Sequence, residues 1–93
     1  MITKSARQIL YTYRSGLIHR RLGAYYHYNL RDSEDIKKKL TLLQLSRLHY
    51  DKSIKIFFNL NEIKEYLEVQ MERIALYEYL AEGMLLFLFI YIK

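Results

Sequence analysis

The chain predicts a mainly α-helical protein, either a small three-helix bundle or a helical hairpin followed by a long heptad-patterned C-terminal helix. Three observations point there. No Pro and only three Gly in 93 residues leave few turns to write, which disfavours a many-stranded sheet. An apolar share of 52% with ten Tyr is too hydrophobic for a disordered chain. From Ile56 to Tyr91, apolar residues alternate by four and three over nearly five heptads, as a helix–helix seam requires. The length fits one small domain over residues 1–93.

The first helix is expected over 5–22. Ser5 and Gln8 have the spacing of a capping box. Arg20 and Arg21 suit the negative end of the helix dipole, and Gly23 can take a left-handed cap just beyond. Gly16 lies inside and costs about 1 kcal/mol relative to Ala. At 100° per residue, Lys4, Arg7, Arg14 and Arg21 share one face, and Ala6, Ile9, Leu10, Tyr13 and Leu17 share another. The bridge that follows, AYYHYNLR over 24–31, reads as helical or irregular.

The second helix is expected over 33–50, capped by Asp32 or Ser33. Its leucines spread around more than one face, the mark of a central helix. Asp51-Lys52-Ser53 reads as its end. The third helix is expected over 60–82 or beyond, with Gly83 as its weak point. An α+β alternative pairs short strands near 54–58 and 85–92.

Charge is unevenly placed. Residues 1–31 carry six cations and no acid. Residues 1–55 hold twelve Lys and Arg against four Asp and Glu, whereas 56–93 hold three against six. The basic end, with Tyr interleaved, has the chemistry of an anion or nucleic-acid surface: Lys4, Arg7, Tyr11, Arg14, Arg20, Arg21, Tyr25 and Tyr26. A solvated helix face with Tyr at the core boundary uses the same residues. The row Glu65, Glu68 and Glu72 is expected opposite the seam, in solvent, unable to neutralise the basic stripe of its own protomer. Glu78 and Glu82 sit in apolar surroundings and call for a cation such as Arg20 or Arg31.

The candidate assembly interface is the seam itself: Ile63, Leu67, Gln70, Ile74, Tyr77, Ala81, Met84, Leu88 and Tyr91. Gln70 is a polar seam residue of the kind that fixes register. The run MLLFLFIYI over 84–92 reaches about 14 Å as a helix, half a bilayer core. A membrane contact through that tail is the weaker reading.

Catalysis finds no support. There is no nucleophile elbow, no phosphate-cradling Gly loop, and no Cys. His19, His27 and His49 lack metal-ligand spacing, so no metal or other cofactor is expected. Leu10, Tyr11 and Arg14 resemble the Leu-Tyr-Arg signature of small basic mitochondrial assembly proteins over a few residues, with Thr12-Tyr13 interrupting, and no family is assigned on that. The start lacks the continuous apolar core of a secretory signal, which favours an intracellular protein. The function expected is a non-catalytic assembly protein that self-associates or docks on a protein partner through its C-terminal helix. Its basic N-terminal helix then faces an anionic partner. A small nucleic-acid-binding regulator and a membrane-associated small subunit are the alternatives.

Overall fold

A computed structural model describes residues 4–92, with side chains other than those of Lys4, Met84, Leu85, Phe87, Leu88, Phe89, Tyr91 and Ile92. It contains three helices in chain order: α1 (Lys4–Asp32), α2 (Ile36–Asn59) and α3 (Ile63–Ile92). The mainly helical class is as the sequence predicts. The strand alternative is not: 54–58 lies inside α2 and 85–92 inside α3, and no strand occurs among the described residues. Both α1 and α3 pack chiefly on α2, which is the central helix its spread leucines predicted.

Two glycines decide how α1 and α2 meet. Gly16 and Gly23, one heptad apart, are buried on the α1 face toward α2. Opposite them stand Ser53 and Ser46, also one heptad apart and fully buried. The Ser53 hydroxyl donates to the Gly16 carbonyl at 2.8 Å, and the Ser46 hydroxyl to the Gly23 carbonyl at 2.7 Å. The reversed order makes α1 and α2 antiparallel. A Cβ on Gly23 would stand 2.7 Å from Cδ1 of Tyr50, and one on Gly16 would stand 2.9 Å from Cζ of Phe57. Each aromatic ring therefore lies where a side chain on α1 would be. The core grows from there: Leu30, Tyr50, Ile54 and Phe57, joined by Val69 and Leu76 from α3.

This packing corrects the expected boundaries. Gly23 is not a cap, since no glycine here has positive φ. Its missing side chain serves the close approach, and α1 runs on through the Tyr-rich bridge because Leu30 is buried against the core. Asp51-Lys52-Ser53 does not end α2 either, because Ser53 is one of the two buried serines. The cap of α2 is Asp35, whose side chain accepts from the Lys37 amide at 2.9 Å, in place of the expected Asp32 or Ser33.

The real end of α2 is a Schellman turn. Glu62 N–H donates to the Phe57 carbonyl at 3.0 Å and Asn61 N–H to the Phe58 carbonyl at 3.2 Å. Asn61 has φ of 57°, a left-handed conformation that Asn tolerates better than most residues. α3 then runs back along α2, unbroken at Gly83.

Helix propensity favours Ala over Gly by about 1 kcal/mol, so Gly23→Ala should stabilise an isolated α1. In this fold it is expected to destabilise by about 1–3 kcal/mol, because the Tyr50 ring is buried and cannot yield cheaply. Urea unfolding reads the sign directly.

Candidate functional site

At 100° per residue, two further stripes of α1 flank the glycine stripe. Tyr13, Arg20 and His27 lie toward α3, and His19 and Tyr26 lie on the other flank. The α3-side stripe meets the glutamate row. Arg20 clamps Glu72 with Nε at 2.9 Å and Nη2 at 2.7 Å, both on Oε1, and reaches Glu68 Oε2 with Nη1 at 2.9 Å. The Tyr13 hydroxyl donates to Glu65 Oε1 at 3.1 Å, a bond that holds the phenol above its ordinary pKa. Across the neighbouring seam, Arg73 of α3 bonds Asp51 of α2 at 2.9 Å and Gln70 at 2.8 Å.

The expectation that the glutamate row points into solvent, out of reach of the basic stripe, is therefore corrected. Glu65, Glu68 and Glu72 face α1. Glu68 and Glu72 hold Arg20, which sits toward α3 rather than on the face of Arg7, Arg14 and Arg21, and Glu65 accepts from Tyr13. Glu78 and Glu82 are exposed, so neither needs the cation that their apolar neighbours in the sequence call for.

The remaining basic-end residues are arrayed along α1. Lys4 opens the helix. Arg7, Arg14 and Arg21 are exposed, and none of the three is held in an ion pair among the described residues. Tyr11 and Tyr25 are exposed as well. Tyr26 is half-buried, its ring packed on His49 with centroids 5.7 Å apart.

The predicted α3 seam is the face that α2 does not cover. Its core contacts run through Val69 and Leu76, on the opposite side of the helix from the two heptad rows. Ile63 is 69% exposed, Leu67 54% and Ile74 52%, with Met71 beside them at 70%. Tyr77 and Ala81 are exposed too, whereas Gln70 is half-buried and donates to the Tyr66 hydroxyl at 2.9 Å. The side chains of Met84, Leu88 and Tyr91 lie outside those described. Sequence reasoning did not single out Met71. It sits next to the seam rather than on it, and the outward face is wide enough to include it.

A second apolar feature opens where α2 begins and α3 ends. It is a groove of about 760 Å³ walled by Ile36, Leu40, Leu43, Leu80 and Leu86, with Leu30 among its lining residues and Lys39 and Glu82 as its charges. Lys39 donates to the Tyr79 hydroxyl at 3.2 Å. No helix is long and apolar enough to cross a membrane, and no cluster of three or more metal-ligating side chains forms, among the described residues.

The helical hairpin with a third helix layered on it has the architecture of a helical repeat. Residues 1–87 match the family described as erythroid differentiation-related factor 1-like, TPR repeats. The chain belongs to this family. It is 42% identical over 79 residues to erythroid differentiation-related factor 1 of Homo sapiens and of Pongo abelii, and 40% identical to that of Mus musculus. These matches cover 81% of the chain, which spans 6% of the length of those relatives. No solved structure matches significantly. TPR repeats are helical protein-interaction modules, and this chain is a domain of that kind. Its helices are long for the class: α1 and α2 take 29 and 24 residues, where a whole TPR takes about 34.

Two histidines link this packing to pH. Burial first, and then Arg31, holds His27 below its ordinary pKa; burial first, and then His19 and Lys52, does so for His49. The unfolded chain binds these protons more readily than the folded one. The associated stability is whole above about pH 6.5 and is lost as pH falls below it. The urea midpoint is expected to drop between pH 7.5 and 5, and less steeply in His27→Gln. Replacing Arg20 with Ala is expected to cost about 1–2 kcal/mol at pH 7, against under about 0.5 for Lys64→Ala at the exposed Lys64–Glu68 pair.

Proposed function

We propose that this chain is a non-catalytic docking module that receives an amphipathic helix of a protein partner, or of a second copy, along the outward face of α3. The observation that carries this reading is the exposed stripe Ile63, Leu67, Met71, Ile74 and Tyr77. α3 already buries Val69 and Leu76 in the core, so it is apolar on two sides. A helix of that kind suits a position between two others. The heptad spacing of the outward side favours a helix as the occupant, since knobs at four-and-three spacing fit the holes of another helix.

A second reading concerns α1. Arg7, Arg14 and Arg21 stand exposed with Tyr11 and Tyr25, and no acid among the described residues pairs with those arginines. This supports an anionic partner, either an acidic protein surface or a nucleic-acid backbone.

Sedimentation at several concentrations, with an apolar-surface dye, tests the first reading. The expected result is concentration-dependent association, or a monomer that binds the dye. Leu67→Glu with Ile74→Glu should reduce either signal while helicity is kept. A monomer that binds no dye overturns the reading. For the second reading, binding to a nucleic-acid duplex should weaken steeply with salt, and the slope should shrink in Arg7→Ala/Arg14→Ala/Arg21→Ala. No binding at low salt removes nucleic acid as the partner.

A further inference from the structure

His19 of α1 and His49 of α2 lie on the flank of the hairpin turned away from Arg20 and the glutamate row. Their Nδ1 atoms are 2.8 Å apart. Their ring centroids are 5.1 Å apart and their planes differ by 20°. The Nδ1 separation plus two ring radii accounts for the whole centroid distance. The Nδ1–Nδ1 vector therefore runs along the line of centres, and the imidazoles meet edge to edge in nearly one plane rather than face to face.

In that arrangement each Nδ1 presents its in-plane site to the other. A single hydrogen fits the gap, with one nitrogen donating and the other accepting. A metal ion on the same line would need the nitrogens about 4 Å apart, given metal–imidazole distances of about 2 Å. The gap suits a proton and not a metal.

We propose that His19 and His49 form a proton-counting clasp across the α1–α2 hairpin. With both rings neutral, one Nδ1–H donates to the other Nδ1. A first added proton goes to an outer Nε2, and the bond persists as imidazolium to imidazole. A second added proton leaves two N–H groups facing each other between two cations. The bond is then lost, and repulsion parts the helices on this flank.

The surroundings oppose added charge at both steps, and most strongly at the second, which places two cations face to face. Lys52 on α2 adds a positive charge near His49, and Tyr26 on α1 covers the His49 ring without supplying a carboxylate. The acids Glu68 and Glu72 of α3 are held by Arg20 on the other flank. Among the described residues no carboxylate bonds either ring, so a doubly charged pair has no acid to hold it. The serine–glycine contacts lie beside the clasp, so its release loosens the hairpin at its edge while the centre stays packed.

Nitrogen-15 NMR of the imidazole rings tests this in the intact chain. At pH 7.5 the two Nδ1 nuclei should show scalar coupling across the hydrogen bond. On acidification the pair should titrate in two steps separated by about tenfold or more in proton affinity. The coupling should survive the first step and vanish with the second, and amide exchange around His19, Tyr26 and His49 should rise with the second step while that of Gly23 and Ser46 stays slow. His19→Asn should let His49 titrate in one step at a higher pH. Absence of the coupling at pH 7.5, two independent single-step titrations, or a His49 titration unmoved by His19→Asn would each overturn the proposal.

Discussion

Two serine hydroxyls bonded to two glycine carbonyls, one heptad apart on facing helices, set the distance between α1 and α2. At that distance Tyr50 lies over Gly23 and Phe57 over Gly16, filling the space that side chains on α1 would occupy. The glycines give up helix propensity, and ring packing plus two buried hydroxyl bonds offset that loss. Everything else in the domain is arranged around this line of contact. Its antiparallel register places Tyr13, Arg20 and His27 on one flank of α1 and His19 and Tyr26 on the other.

The first flank receives α3. Because α1 offers Arg20 and Tyr13 there, α3 turns its glutamates inward at that edge and its Val69 and Leu76 toward the core. The rest of α3 follows from helical periodicity. With those positions buried, its heptad rows must face away from α2, and the hydrophobic stripe from Ile63 to Tyr77 is left exposed. A helix that is apolar on its outward side as well as its inward side is a typical element of helical repeat proteins, where each layer covers the next. The proposed docking role thus depends on the same contact that sets the hairpin.

The helices themselves were legible in the sequence. Absence of Pro, scarcity of Gly and the heptad rows were enough for a mainly α chain with a long last helix, and the spread leucines of α2 marked it as central. The details that failed share one cause. A glycine inside a helical pattern signals either a cap or a close approach, and local sequence cannot separate the two. As a cap, Gly23 predicts an α1 that ends ten residues early. Asp51-Lys52-Ser53 resembles a break for a similar reason, because a serine in a polar run looks exposed until a glycine is known to face it. The signal that could have resolved both was the matching seven-residue spacing of Gly16 with Gly23 and of Ser46 with Ser53. The inward turn of the glutamate row had no local signal, since it depends on which flank of α1 α3 occupies.

The most direct measurement of the central contact is a double-mutant cycle between Gly23→Ala and Tyr50→Ala, followed by urea unfolding. If the Tyr50 ring fills the space that a side chain at position 23 would occupy, adding the methyl group harms the protein only while the ring is present. The double variant should then be more stable than the sum of the single effects, by about 1 kcal/mol or more. Strict additivity of the two changes would contradict the account.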